Sequence, residues 1–194
     1  MKAVQIQQCG DIDVLEYVEL DEPQIKQPTE VKVGLKAAGI NPVDTKFRQG
    51  MYPISEFPTI LGCDGAGVVL EVGNEVSRVK PGDEVYFFHG GIGSVSGNYA
   101  EIKVLDERFL ALKPASIDFV QAAATPLVLL TAWESLFDRA SLQEGKTVFI
   151  NAGAGGVGHV AIQLAKQAGA RICTSVSTDD KADFVRSLGA DHVI

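Results

Sequence analysis

The chain has 194 residues, 46% hydrophobic and 22% charged, the balance of a globular protein with material for one or two cores. Its formal net charge of −8 argues against a surface built for nucleic-acid phosphates, so nucleic acid is not an expected partner. The longest apolar run, PLVLLTAW at 126–133, falls well short of the roughly 20 residues that span a bilayer, and no membrane association is expected.

The opening MKAVQIQQCGDIDV lacks the apolar stretch of a signal peptide or anchor, which makes the cytoplasm the expected compartment. Up to about residue 112 the chain is a succession of short β-rich runs, MKAVQI, EVKVGLKAAGI, AGVVLEVG, DEVYFF, YAEIKVL and FLALKP. Gly, Pro and Asp separate them, as in VKPGDEV at 79–85. That spacing predicts an antiparallel β domain, a partly open barrel or a sandwich.

From residue 115 the texture turns helical, with Ser116 as a candidate cap and Pro126 either interrupting the helix or beginning another. After Gly145 comes an alternation of strand and helix that ends in ADHVI, a parallel α/β pattern. Cys9, Cys63 and Cys173 are widely spaced and odd in number, which suits reduced thiols acting as small buried hydrophobes.

Within the second part, KTVFI reads as a short buried strand. Val157, Val160, Ala161, Leu164, Ala165 and Ala168 recur at helical spacing, so a helix is expected from about Gly156 to Gly169. Between them Gly153, Gly155 and Gly158 fit G-x-G-x-x-G, with Ala154, Gly156 and Val157 filling the motif. In a dinucleotide site Gly153 would permit the tight turn, Gly155 would admit a pyrophosphate, and Gly158 would let helix pack on strand. The free N–H groups of the helix start would then bind the phosphate charge. The alternative is a plain tight turn, and placement inside a βαβ unit favours the dinucleotide.

Where an NAD site would put a carboxylate on the ribose, the chain has Val176, Ser177 and Thr178, with Asp179 and Asp180 in the following helix start. Ser177 and Lys181 are placed to bind a 2′-phosphate, which favours NADPH, although Lys181 also reads as a solvated helix residue.

GINPVDTKFRQGMYP, FPTILGCDGAGVVLEVGNEVSRVKPGDEVYF, GNYAEIKV, TAWESLF and NAGAGGVGHVAIQLAKQAGA together resemble the medium-chain dehydrogenase/reductase superfamily. The likeness is to its zinc-independent quinone oxidoreductase, or zeta-crystallin-like, branch. The resemblance implies a GroES-like β domain (1–122) followed by a Rossmann domain (123–194). It further implies hydride delivery from NADPH to a quinone or conjugated enone, with Asn41 beside the nicotinamide, Tyr52 lining the acceptor pocket and Thr131 approaching the ring. Asn41 also reads as a residue shaping the turn before Pro42, Tyr52 as a loop aromatic, and Thr131 as a helix-packing residue. Asp44 and Arg48 read as structural or rim residues, and Trp133 as core.

Zinc-dependent members carry a cysteine where this chain has Asn41 and Gly-His-Glu where it has Gly62, Cys63 and Asp64. With His89, His159 and His192 scattered, no metal site is expected. The family's Rossmann domain has about six strands, and only three fit after Gly145. The expectation is therefore a partial Rossmann domain in a C-terminally incomplete chain, and the resemblance implies a homodimer for its full-length parent. Two other readings use the same features. One is a 2-enoyl thioester reductase with Tyr52 as acid, the other a non-catalytic NADPH-binding protein; an RNA-binding side role gains nothing from the acidic balance.

Overall fold

The computed structural model of the chain describes residues 1–92 and 95–194, in two compact units, Met1–Pro126 and Leu127–Ile194. In the first unit the strands are β1 Lys2–Ile6, β2 Glu16–Glu19, β3 Glu30–Gly39, β4 Thr59–Ile60, β5 Asp64–Val72, β6 Glu84–Phe88, β7 Ile102–Asp106 and β8 Leu110–Leu112. Every pairing among them is antiparallel. One sheet runs β2-β1-β4 and the other β7-β3-β5-β6-β8. All six sequence-predicted runs are strands; β2 and β4 are additions.

Alternation explains the larger sheet. Val31 and Val33 of β3, Val69 of β5, Val85 and Phe87 of β6 and Leu105 of β7 all turn to one buried cluster, each contributing about 2 kcal/mol by removal from water. Two short helices complete the unit, α1 Pro42–Arg48 and α2 Phe119–Ala123. Asp118, not Ser116, caps α2: its carboxylate accepts from Gln121 N at 2.8 Å while the Gln121 side chain accepts from Asp118 N at 3.2 Å, a reciprocal capping box. Ala122 and Ala123 then pack on Ala66 of β5.

A third helix, α3 Pro126–Trp133, carries the chain into the second unit, with Pro126 at its start. It runs directly into a π-helical segment, Glu134–Arg139, marked by the hydrogen bond from Ala140 N to Ser135 O, five residues back, at 3.1 Å. Ala132 and Leu136 are buried in the unit's core. Trp133, expected there too, is instead 51% exposed, its ring leaning on Phe137 at 4.6 Å between centroids.

The remainder alternates β9 Thr147–Ile150, α4 Gly156–Gln167, β10 Arg171–Thr174, α5 Asp179–Ser187 and β11 His192–Val193. The strands are parallel in the order β11-β10-β9, the α/β pattern read from the sequence. Ile162, Ala161 and Ala165 of α4 pack with Ile172 of β10 and Val185 of α5. KTVFI does not form a buried strand: β9 ends the sheet order, and Phe149 is 57% exposed. Of the cysteines only Cys63 is buried; Cys9 and Cys173 are half-buried, and all three are free thiols.

Candidate functional site

The glycine turn joins β9 to α4. Gly155 is the N-cap of α4 in an extended conformation (φ −78°, ψ 173°) with no capping side chain. The helix's first N–H groups, those of Gly156, Val157 and Gly158, therefore lack the acceptor that a capping side chain would supply. His159 N is the first to find one inside the helix, Gly155 O at 3.0 Å.

Two of the glycines answer to crowding. A Cβ on Gly153 would stand 2.9 Å from Ile162 Cδ1, and one on Gly158 would stand 2.8 Å from Gly153 Cα. Gly155 differs: a Cβ there would meet only Ala152 O, at 3.1 Å. Its bareness thus serves space outside the fold, while Gly158 holds the helix against the turn. The left-handed residue of the turn is not a glycine at all but Ala152, with φ 53°.

Facing the turn across a recess of about 300 Å³ is the end of β10. Ala152, Ala154 and Gly155 form one side, and Ser175, Ser177 and Lys181 the other. Lys181 Nζ donates to Ser177 Oγ at 3.0 Å. Thr178 caps α5, its Oγ1 accepting from Lys181 N at 3.4 Å. Asp179 and Asp180 fall in the first turn of α5, outside the lining of the recess. In the sequence Ser175 gives no sign of this place, because a serine after a strand carries no periodic signal.

The first unit holds a buried polar cluster. The register that pairs Gly39 with Asp64 brings the residue two places beyond β3, Asn41, against the head of β5. Asn41 Nδ2 donates to Asp64 Oδ2 at 2.9 Å, and Asn41 N to Asp44 Oδ2 at 2.7 Å. Asp44 also accepts from Tyr99 OH at 2.8 Å and from Cys63 Sγ at 3.1 Å. Asn41, Asp44 and Asp64 are 6%, 3% and 0% exposed. Burial, then the neighbouring Asp44, raises both the Cys63 thiol and the Tyr99 phenol above their ordinary range, so both keep their protons.

The other two candidates lie in the open. Tyr52 is 43% exposed, its ring tilted on Phe47 at 5.2 Å. Thr131 is exposed on α3, and its hydroxyl donates to Leu127 O at 2.7 Å. Of the residues expected to serve the cofactor, the second unit brings Gly155, Ala154, Ser177 and Lys181 to one recess. Among the described residues no group of three His, Cys, Asp or Glu side chains is placed to hold a metal ion, and no helix is long and apolar enough to cross a membrane.

Comparison with known proteins agrees with this anatomy. Residues 27–115 match the alcohol dehydrogenase GroES-like domain, and residues 156–194 match the zinc-binding dehydrogenase family. The whole chain is 41% identical to an NADPH-dependent alkenal/one oxidoreductase of Arabidopsis thaliana, of which it covers 52%. It is also 41% identical to a quinone oxidoreductase of Pseudomonas aeruginosa, covering 58% of that protein. Among solved structures, the Escherichia coli quinone oxidoreductase complexed with NADPH superposes over the whole chain with a TM-score of 0.88 at 34% identity, 58% of that structure being covered.

A GroES-like β unit followed by the beginning of a Rossmann-like unit is the layout of the medium-chain dehydrogenases/reductases. The chain belongs to that superfamily, in its quinone oxidoreductase branch. It spans between half and three-fifths of the length of the relatives named here.

Proposed function

We propose that this chain forms the β unit and the adenosine-pyrophosphate seat of an NADPH-dependent oxidoreductase that passes hydride to a quinone or a conjugated enone. The observation that carries the reading is the hydroxyl and ammonium pair of Ser177 and Lys181, 3.0 Å apart, on a recess whose lining contains no carboxylate. A 2′-phosphate needs a cation and a donor there, and an NAD site would use an acid. The names of the relatives, alkenal/one and quinone oxidoreductases, support the choice of acceptor.

The chain's own groups divide the work. The uncapped start of α4 and the bare Gly155 hold the pyrophosphate through backbone N–H groups. When bound, NADPH supplies the hydride, and the protein supplies position and exclusion of water. Asn41, Tyr52 and Thr131 are the residues assigned to the nicotinamide and the acceptor. Thr131 has spent its proton on Leu127 O and offers lone pairs; Tyr52 offers a phenol to an acceptor oxygen.

The matched family description names zinc, and the donors present do not suit that ion. Zinc takes three or four converging thiolate, imidazole or carboxylate ligands. Here the Cys63 thiol gives its proton to a hydrogen bond with Asp44, and the Asn41 amide nitrogen is turned onto Asp64. No step of the proposed reaction passes through a metal.

Calorimetric titration of the chain with NADPH and with NADH tests the reading, with Gly155→Asp as control. NADPH bound in preference to NADH, and lost in the variant, is the expected result. A folded chain that binds neither overturns it.

A further inference from the structure

We propose that Ser175 is a positioning residue that holds the glycine turn in the shape a pyrophosphate requires; the inference rests on the dinucleotide reading of the recess. Ala152, at the head of the turn, has φ 53°, a left-handed conformation that costs an L-residue about 1 kcal/mol and persists only where the surroundings over-determine it.

Ser175 supplies that determination. Its Oγ accepts from Ala152 N at 3.1 Å and donates to Asn151 Oδ1 at 2.7 Å. Its carbonyl accepts from Gly153 N at 3.0 Å. One residue thus grips three successive positions of the turn from the neighbouring strand end. Ser175 is itself anchored: the preceding Thr174, fully buried, donates from Oγ1 to Ile150 O at 2.6 Å. That bond ties the end of β10 to the end of β9.

The geometry also sorts the amides. Those of Ala152 and Gly153 are turned inward onto Ser175, and that of Gly155 onto Ala152 O at 2.9 Å. A pyrophosphate is therefore left to the first turn of α4, and the turn's task is to keep that helix start clear. Without Ser175 Oγ, Ala152 loses the partner of its N–H and the reason to remain left-handed. The turn then has to be reordered each time a ligand arrives, and binding weakens by that cost.

The test is a titration of the full 194-residue chain with two ligands, NADPH and adenosine 2′-monophosphate, which lacks a pyrophosphate. Ser175→Ala should lower NADPH affinity about tenfold, the scale of one or two hydrogen bonds, and leave adenosine 2′-monophosphate unchanged. Ala152→Gly, which removes the left-handed penalty, should restore most of the loss in the Ser175→Ala background. Amide hydrogen exchange at Ala152 should quicken in Ser175→Ala, a change that a residue touching only the ligand would not produce. Unchanged NADPH affinity in Ser175→Ala, or equal weakening of both ligands, would overturn the inference while leaving the dinucleotide reading intact. A wild-type chain that binds neither ligand would overturn both.

Discussion

Asn41 and Asp64, 23 positions apart in the chain, are joined by a 2.9 Å hydrogen bond inside the first unit. The bond depends on sheet register, because Gly39 and Asp64 are paired at the ends of β3 and β5. Asn41→Ala removes a donor from a fully buried carboxylate and should cost about 1–3 kcal/mol. Asn41→Asp should be worse, since two carboxylates would then face each other and the introduced one would have a raised pKa. A raised pKa means that stability is retained at acid pH and lost as pH rises through it. Urea unfolding of the three proteins across the neutral range checks both the order and the sign.

The glycines of the turn should separate into two kinds. Gly158→Ala drives a Cβ into the Gly153 backbone and should cost about 1–3 kcal/mol in overpacking. Gly155→Asp meets only Ala152 O at 3.1 Å and places an acid at an N-cap, a favourable position. It should keep or raise the melting temperature while removing NADPH binding. Thermal melts beside the titration read both.

Lys181→Ala should weaken NADPH about tenfold or more, the scale of one lost charge-assisted hydrogen bond, and leave NADH unchanged. Equal losses for both cofactors would place the 2′-phosphate elsewhere than on the Ser177 and Lys181 pair.

Two side chains of the first unit should shape its response to pH. Burial, then the charges of Lys103 and Arg108, lowers His89 from 6.5 to about 4, while its ring stacks on Phe109 at 4.0 Å. Between those values the unfolded chain binds a proton that the folded one refuses, so stability present above pH 6.5 is lost as pH falls toward 4. His89→Phe keeps a ring on Phe109 and should flatten that limb. Lys103, 5% exposed on β7 and bonded to Ser96 O, is lowered by burial from 10.5 to about 8. Taken alone, Lys103 makes stability rise as pH climbs from 8 to 10.5, against the opposite trend from Cys63 and Tyr99, which keep protons in the folded chain that the unfolded one has released. Lys103→Met should therefore steepen the alkaline loss of stability.

Much of this anatomy is legible in the sequence because it is written in local patterns. The six β runs of the first unit are set off by Gly, Pro and Asp, the α4 face repeats every three or four residues, and Gly153, Gly155 and Gly158 sit in a spacing that a βαβ turn needs. What escapes is set by contacts distant along the chain. Asp44 reads as a rim or structural residue until Tyr99 and Cys63 arrive from elsewhere to bond it. Ser175 acquires its meaning only when β10 lies beside β9. The Asp118 cap is written in D-F-V-Q, where Gln121 completes the capping box, and Ser116 offers the same cap chemistry two positions earlier. Trp133 shows the limit of composition: an apolar ring in an apolar helix is exposed once the helix has one buried face to give.

The π-helical segment Glu134–Arg139 bears on which lengths of this chain can change. A π-turn holds one residue more than an α-turn, so it behaves as an insertion already absorbed by a helix. Deleting one residue there should let the segment relax into ordinary α-helix while Ala132 and Leu136 keep their core contacts. The same deletion between Gly153 and Gly158 would have no slack to draw on, because the Gly153 and Gly155 amides are already bonded to Ser175 O and Ala152 O and Gly158 lies against the Gly153 backbone. Natural length variation in this unit is therefore expected to collect after Trp133 and to avoid the phosphate turn.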